Sequence, residues 1–269
     1  PQNYFVKIRL AEIYSSLGEY DKANSLYVDA LKISERSNYS IYSYAIFCAK
    51  RNILGLSANL AEELVGTSAK TLEFKAQIYE QMALTLENLK SYEAATKAYQ
   101  VTYKYAKSVK KQKYIEKIRA KYAQSYINLA DYDIEKNSIK EAISALNNSI
   151  KIKDSPIANY KLGIVYINVD KVKAEKYLAQ VFKKYPFMVN PYIYNKLLND
   201  LIMESKNGKN LHNSDYYILK LNSFKKKVAK CYLYRDDISI RNSHIVPKKQ
   251  LFSKEKRYNL FFDMENNTK

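Results

Sequence analysis

Residue types that could do acid–base or metal chemistry are sparse in this sequence. Its 269 residues include only two histidines, His212 in a polar run and His244 near the C-terminus. Asp236 and Asp237 are adjacent carboxylates, but a catalytic acid or base needs other polar groups converging on it, so a turn is the better interpretation. The sequence has no Gly-rich phosphate loop, no GxSxG and no HExxH. It therefore predicts a protein that is not an enzyme, with no catalytic residue, no metal ligand and no cofactor.

The two cysteines do not suggest a metal or redox site. Cys48 and Cys231 lie far apart and form neither a CxxC motif nor another metal-binding spacing. Two packed helix residues are the favoured interpretation, and a disulfide between them is the alternative.

The charge of the chain is large and unevenly distributed. Lys and Arg number 45 and Asp and Glu 27, which gives a formal net charge of +18. Residues 1–100 hold 11 basic and 11 acidic residues, which leaves 34 basic and 16 acidic residues for 101–269. This asymmetry favours an anionic partner for the C-terminal half: an acidic protein surface, lipid headgroups, a cell-wall polymer or nucleic acid.

The densest charge lies in KYAKSVKKQKYIEKIRAKY, residues 104–122. At helical spacing these charges spread around more than one face, and we expect them to straddle a helix junction. A solvated surface and an anionic docking surface are both open. Because Lys outnumbers Arg, diffuse electrostatics is favoured over bidentate phosphate recognition, and sequence-specific nucleic-acid binding is not expected. We name as the basic patch Lys104, Lys107, Lys110, Lys111, Lys113, Lys117, Arg119 and Lys121.

The composition indicates which elements position these groups. Glycine and proline are rare, five of each, whereas β and α/β folds need many turn residues or Gly-rich loops. An all-α chain with short connections is therefore predicted. No stretch approaches the ~20 consecutive apolar residues of a membrane span, so a soluble protein is expected. The chain starts at Pro1 without Met, which fits either a trimmed or a processed terminus.

A pair of short helices recurs along the chain. In LAEIYSSLGEYDKANSLYVDAL, residues 10–31, two apolar stripes with the spacing of one helix face flank a turn at Gly18. The stretch resembles the tetratricopeptide repeat, a unit of roughly 34 residues made of two packed helices. The matching positions are Leu10, Ala11, Tyr14, Gly18, Tyr20, Ala23, Tyr27 and Ala30. Ala23 and Ala30 are expected where helices press together, and Tyr20 and Tyr27 where gaps between hairpins are filled.

Further copies of the pattern define the predicted organisation. They are NYKLGIVYINVDKVKAEKYLAQVFKKYP, YEQMALTLENLKSYEAATKAYQVTY and YINLADYDIEKNSIKEAISALNNSI. With a degenerate copy at 39–73, the repeats span about 4–37, 39–73, 76–109, 123–156 and 156–188. The resemblance implies an all-α fold, a right-handed α-solenoid of such hairpins. Its array would occupy 1–189, a capping helical hairpin 190–234 (helices at about 190–205 and 215–234), and a basic tail 235–269.

The resemblance also implies where a partner binds. Arrays of this family bind peptides or proteins in a groove lined by the first helix of each hairpin. The residues predicted to face that groove mix apolar and polar types, and they are Ile8, Glu12, Gln77, Glu80, Leu84, Gln124, Ile127, Tyr160, Ile164 and Asn168.

The predicted function is a non-enzymatic scaffold or adaptor for protein–protein interaction within a multiprotein assembly. By analogy with similar repeat proteins, a bacterial envelope machine such as a flagellar motor accessory structure is the leading version, with a periplasmic or envelope location favoured and the cytoplasm left open. One alternative is a binder of nucleic acid or another anionic polymer through the basic half. Another is a signalling receptor that responds to a peptide. The partners expected are one or more proteins, with acidic proteins as one class, and the oligomeric state is left open.

Overall fold

The computed structural model describes residues 3–208, 213–233, 238–241 and 244–247. Within these ranges the backbone forms twelve α-helices, which confirms the predicted all-α class. The helices are α1 (Tyr4–Ser16), α2 (Tyr20–Ile33), α3 (Asn38–Lys50), α4 (Leu54–Glu63), α5 (Ala69–Asn88), α6 (Tyr92–Val109), α7 (Gln112–Glu135), α8 (Ile139–Ile152), α9 (Pro156–Tyr166), α10 (Lys171–Lys184), α11 (Pro191–Lys206) and α12 (Ser214–Leu233). A 3₁₀ helix at Pro186–Met188 follows α10, and the short strands β1 (Ile238–Arg241) and β2 (His244–Pro247) pair antiparallel.

The chain divides into two compact units, Pro1–Asp154 and Ser155–Lys269. Unit 1 holds four helical hairpins, α1–α8, and unit 2 holds α9–α12. The sequence-based division kept the fifth hairpin, α9–α10, in an array of residues 1–189, apart from the cap. In the structure this hairpin groups with the cap, because Phe182 of α10 shares a core with Phe224 of α12.

The first four hairpins share one turn geometry. Each first helix is followed by a residue in the left-handed region, and these residues are Gly18 (φ 81°), Asn52 (φ 61°), Lys90 (φ 57°) and Asn137 (φ 59°). The next backbone N–H then returns to a carbonyl five residues back, as from Glu19 N to Tyr14 O at 2.9 Å. This is the six-to-one hydrogen bond of a Schellman motif, which satisfies a carbonyl at the helix end. The turn that the sequence predicted at Gly18 is therefore repeated where Asn or Lys replaces glycine.

The second hairpin, predicted as degenerate, copies the first with an offset of 34 residues. The N-caps are Asn3 and Ser37, and the left-handed turn residues are Gly18 and Asn52. The sequence pattern was obscured because Asn52 stands where the first repeat has Gly18, and Ser57 where it has Ala23. Ser57 is buried, and its hydroxyl donates to the carbonyl oxygen of Ala45 at 2.9 Å.

Helices α5 and α7 begin earlier than the predicted repeats. They start at residues 69 and 112, against predicted starts at about 76 and 123. The start of α5 is capped by Ser68, whose hydroxyl accepts from the backbone N–H of Thr71 at 3.2 Å. The additional turns bury Phe74 and Ile118. The repeat pattern marks only the later turns of each first helix, so the motif could not locate these starts.

The small and aromatic positions of the first repeat mostly pack as expected. Ala23, Tyr27 and Ala30 are buried in the core of unit 1. Tyr20 is partly exposed instead, and its ring carries the Arg51 guanidinium, whose carbon lies 3.5 Å from the ring centroid.

Helices α11 and α12 lie within one residue of the predicted capping hairpin. The exposed side of α12 carries Asp215, Asn222 and Lys226 together with Leu219, which is 71% exposed. The connection containing His212, the side chain of Cys231 and the predicted tail 235–269, apart from the backbone of β1 and β2, lie outside the described residues.

Candidate protein-interaction face

In unit 1, the first helices α3, α5 and α7 carry side chains, all but one of them polar, several of which pair from helix to helix. On α5 and on α7 these side chains recur at three- and four-residue intervals, which places them on one side of each helix. We name them the first-helix face: Tyr42 on α3; Glu73, Gln77, Glu80, Leu84 and Glu87 on α5; Lys117, Lys121, Gln124 and Asn128 on α7.

A hydrogen bond joins α3 to α5 within this face. The hydroxyl of Tyr42 donates to Gln77 Oε1 at 2.6 Å, and the Tyr42 ring stacks on Phe74 with ring centroids 4.2 Å apart. Burial raises the pKa of Tyr42, so its hydroxyl remains a neutral donor near pH 7. The predicted site residue Gln77 is thereby held in one orientation.

Two ion pairs join α5 to α7. Lys121 Nζ lies 2.5 Å from Glu80 Oε1, and Lys111 Nζ lies 2.7 Å from Glu73 Oε2. Beside them, the hydroxyl oxygen of Tyr114 is buried and has no hydrogen-bond partner within the described part of the chain. Burial, reinforced by the Glu80 and Glu73 carboxylates, raises the pKa of Tyr114. The Tyr114 hydroxyl therefore stays neutral beside the two ion pairs.

The carboxylate of Glu87 organises the other end of the face. It accepts from Asn128 Nδ2 at 2.9 Å and from the hydroxyl of Tyr99 at 3.2 Å. Asn128 Oδ1 in turn accepts from Gln124 Nε2 at 3.0 Å, and Gln124 is exposed. Sequence reasoning selected Gln124 but missed Glu87 and Asn128. The signal that could have found them is their spacing, seven residues after Glu80 and seven after Lys121 on the same sides of α5 and α7.

Two predicted groove residues are corrected by the structure. Ile8 and Ile127 are buried, so neither side chain is open to a partner. Both lie three residues before an alanine, Ala11 and Ala130, on the side of the helix that packs inward. Isoleucine has no polar group that could hydrogen-bond to water, so at these inward-facing positions it packs in the core.

The remaining predicted groove residues are distributed over both units. Glu12 is exposed and paired with Arg9 at 2.7 Å. In unit 2, Tyr160 and Ile164 are half-buried against the core, and Asn168 is exposed in the turn after α9. The structure therefore brings Gln77, Glu80, Leu84 and Gln124 onto α5 and α7 of unit 1. Glu12 lies on α1 of the same unit, and the other three lie in unit 2.

The basic patch straddles a helix junction, as predicted: α6 ends at Val109 and α7 begins at Gln112. Its members Lys111 and Lys121 are engaged by α5 carboxylates, and Arg119 Nε donates to the carbonyl oxygen of Ile152 at 2.6 Å. The exposed members without a carboxylate within 4.0 Å, among the residues that the structure describes, are Lys104, Lys107, Lys110, Lys113 and Lys117.

Lys117 belongs to both predicted sites. It lies one helical turn before Lys121 on α7 and is exposed. The sequence separated a basic patch from a groove, but the structure overlaps them along one side of α7. This overlap adds a free positive charge to the polar first-helix face.

The chemistry available on this face is hydrogen bonding and charge pairing. Within residues 3–208 and the described part of α12, no three His, Cys, Asp or Glu side chains come close enough to hold a metal ion. None of the helices in the described ranges combines the length and apolar character needed to cross a bilayer.

Comparison with known proteins identifies one repeat. Residues 6–37 match the family model described as Tetratricopeptide repeat. No curated protein matches significantly. Among solved structures, a thermophilic TPR protein of Thermus thermophilus, TTC0263, is similar at 17% identity over 68% of this chain and 92% of that chain, with a TM-score of 0.31. PilF of Pseudomonas aeruginosa is similar at 15% identity over 86% of this chain and 93% of that chain, with a TM-score of 0.32. MamA is similar at 13% identity over 88% of this chain and 98% of that chain, with a TM-score of 0.35. TM-scores this low support no argument about fold or function.

Proposed function

We propose that this tetratricopeptide repeat protein is a non-catalytic scaffold that binds a segment of a partner protein on the first-helix face of unit 1. The observation that most supports this is the network across three successive first helices, in which Tyr42 holds Gln77 and Glu80 holds Lys121. Side chains that are already held in place lose little conformational entropy when a partner binds.

The free groups on the face define the chemistry of the segment. Lys117 offers an exposed positive charge without a carboxylate partner in the described chain, and Gln124 offers an exposed amide. Leu84 on α5 is half-buried and adds an apolar side chain to the same face. A segment that fits has an acidic side chain for Lys117, backbone groups for Gln124 and an apolar side chain for Leu84.

Affinity capture with matched variants tests this proposal. The immobilised chain is incubated with native lysate at low and moderate salt, and bound proteins are identified by mass spectrometry. We expect the double variant Lys117→Glu/Gln124→Ala to lose a protein that the unmodified chain retains at moderate salt.

The control makes the same chemical changes on the neighbouring second helix. Gln100 and Lys104 are both exposed on α6, so Gln100→Ala/Lys104→Glu alters charge and polarity equally outside the face. The control variant should retain the partner. Retention by a folded Lys117→Glu/Gln124→Ala variant would remove the first-helix face from the proposal.

The unit 2 residues are weaker targets for such a test. Tyr160 and Ile164 pack against the core of their unit, so replacing both by alanine would lower its stability as well as change its surface. Loss of binding by that variant could not be assigned to a contact with the partner.

A second candidate function, binding of an anionic polymer, is favoured by the exposed lysines around the α6–α7 junction. Binding through diffuse charge falls steeply as salt rises, because neutralising phosphates releases counterions. It should also weaken to a similar degree in Lys104→Glu and Lys117→Glu. A protein partner on the first-helix face should be lost in Lys117→Glu alone.

The finer versions of the scaffold proposal rest on analogy between repeat proteins. An envelope machine, such as a flagellar motor accessory structure, is supported if its components are the salt-resistant proteins captured. A peptide-responsive receptor instead predicts that the bound peptide changes the radius of gyration in small-angle scattering.

A further inference from the structure

The outer side of α1 carries a continuous apolar stripe open to solvent. It has the spacing i, i+4, i+7, i+11, which lies along one side of a helix. We name it the α1 stripe: Val6 (61% exposed), Leu10 (39%), Ile13 (55%) and Leu17 (66%). Single exposed apolar residues are common on protein surfaces, but contiguous patches mark interaction sites.

The second and third hairpins of unit 1 indicate what this side of a first helix accepts. The turn residues Asn52 and Lys90 follow Gly18 by 34 and 72 residues. Adding these two offsets to Val6, Leu10 and Ile13 gives the equivalent positions on α3 and α5. The residues found there are Ser40 (1% exposed), Tyr44 (7%) and Phe47 (4%) on α3, and Ile78 (0%), Met82 (8%) and Thr85 (8%) on α5.

These equivalent positions are buried because another helix covers them. The hydroxyl of Thr85, for example, donates to the carbonyl oxygen of Ala49 on α3 at 3.0 Å. The α1 stripe therefore has the register of a surface that receives a helix, without a helix on it in the described chain.

The exposed side of α12 differs from the α1 stripe in character. At the same i, i+4, i+7, i+11 spacing, α12 exposes Asp215, Leu219, Asn222 and Lys226, three of which are polar. All four positions of the α1 stripe are apolar. The α1 stripe is therefore the surface that gains more from being buried against another apolar surface.

Charge indicates which partner can approach this stripe. The chain carries a net charge of +18, and residues 1–100 are balanced with 11 basic and 11 acidic residues. The charged neighbours of the stripe are compensated locally, Arg9 by Glu12 at 2.7 Å and Lys22 by Glu19. Two copies of this chain repel each other through their basic halves, and their balanced N-terminal ends can meet without that penalty.

We propose that the α1 stripe is the contact between two copies of this chain, with their α1 helices antiparallel about a two-fold axis. The 4–3–4 spacing maps onto itself in this arrangement: Val6 faces Leu17 of the second copy, and Leu10 faces Ile13 of the second copy. A two-fold contact of this kind buries the same residues on both copies. The inference is independent of the proposed function, because the stripe lies on a different side of the first helix from the first-helix face.

The size of the contact sets its strength. With 13 residues, α1 is about 20 Å long at ~1.5 Å per residue. One helix pair of this length buries less area than a standard protein–protein interface. The dimer should therefore dissociate on dilution rather than be obligate.

Sedimentation velocity of the full chain over a range of concentrations tests the proposal. We expect a monomer–dimer equilibrium, weakened at least about thirtyfold by Leu10→Glu or by Ile13→Lys, as for a central interface anchor. The double variant Leu10→Glu/Ile13→Lys should regain dimerisation, because each new carboxylate then faces the new ammonium of the other copy.

The control is Leu219→Glu, which introduces the same charge on α12 at a residue that is 71% exposed and leaves α1 unchanged. This variant should dimerise like the unmodified chain, and circular dichroism should show equal helix content in all variants. A chain that stays monomeric at every concentration, or a dimer that survives Leu10→Glu, overturns the proposal. Failure of the double variant to dimerise overturns the antiparallel arrangement.

Discussion

A Cβ atom on Gly163 would lie 2.6 Å from both Cγ and Cδ2 of Leu178. Gly163 on α9 and Leu178 on α10 are both buried, so the two helices leave no room for a side chain at Gly163. The glycine is required here for packing rather than for backbone freedom, since Gly163 lies inside a helix.

We predict that Gly163→Ala destabilises unit 2. The added methyl group overlaps a buried leucine in a close-packed interior, and such overpacking costs about 1–3 kcal/mol. Chemical denaturation, followed by circular dichroism, measures the change in the free energy of unfolding. The control is Gly55→Ala on α4, where a Cβ would meet nothing within 4 Å. The control should be neutral or stabilising by up to about 0.5 kcal/mol, because alanine favours helix over glycine. Equal destabilisation by both variants would contradict the packing argument.

We predict that Lys90→Gly stabilises unit 1. Lys90 ends α5 in the left-handed region at a φ of 57°, which is unfavourable for a residue with a Cβ atom. Glycine relieves this strain, which stabilises the fold, but it also increases the entropy of the unfolded chain, which opposes folding. The net effect should raise the free energy of unfolding by about 0.5–1 kcal/mol.

The control for this turn is Lys104→Gly, an exposed position within α6. Glycine inside a helix costs about 1 kcal/mol, so thermal unfolding should shift in opposite directions in the two variants. A lower melting temperature for Lys90→Gly would show that its side chain does more than occupy the turn.

We predict that the Glu175–Lys220 ion pair is essential to the packing of unit 2. Glu175 is buried, and its carboxylate accepts from Lys220 Nζ at 2.7 Å and from the Tyr194 hydroxyl at 3.0 Å. Lys220→Met leaves the carboxylate buried without a compensating charge. Because the Lys220 side chain is 31% exposed, we expect a loss of about 2 kcal/mol, less than for a fully buried pair.

A double-mutant cycle separates the interaction energy of Glu175 with Lys220 from the contribution of each side chain alone. Glu175→Gln/Lys220→Met keeps a neutral acceptor for Tyr194 and removes both charges, so it should be more stable than Lys220→Met alone. Additive losses in urea denaturation would mean that the two side chains act independently.

We predict that the protein loses stability in alkali as its buried thiol and tyrosine hydroxyl groups ionise. Burial raises the pKa of Tyr79 from 10.0 to about 12 and that of the Cys48 thiol from 9.0 to about 11. Raised values mean that the fold favours the neutral forms. Their contribution is complete below the unfolded pKa and is lost as pH rises through the folded pKa.

The loss should therefore begin near pH 9 with Cys48 and continue between pH 10 and about 12 with Tyr79. Tyrosinate absorbance and helix content, recorded together against pH, measure it. Unfolding and the late tyrosinate signal should coincide. Complete tyrosine ionisation near pH 10 with full helicity would contradict the burial of these hydroxyl groups.

The repeat pattern predicted helices well and exposure less well. The stripe of Leu10, Ala11 and Tyr14 identified the first hairpin, because helical periodicity is a local property. Ile8 was assigned to an open groove and is buried, since a helix has several sides and the packing of neighbours decides which are covered. The second hairpin was predicted only as a degenerate copy at 39–73, because Asn52 adopts a turn conformation usually supplied by glycine.

The sequence by itself determined the helical class, the position of most hairpins and the separation of charge along the chain, since composition and three- and four-residue spacing encode each of these locally. Only the tertiary structure decided which groups meet. Lys121 contacts Glu80 across 41 residues, and Lys117 joins the same face. The physical reason is that these contacts depend on how successive first helices align. That alignment is set by the lengths of α5, α6 and α7 and by the turns between them, and no single stretch of sequence contains it.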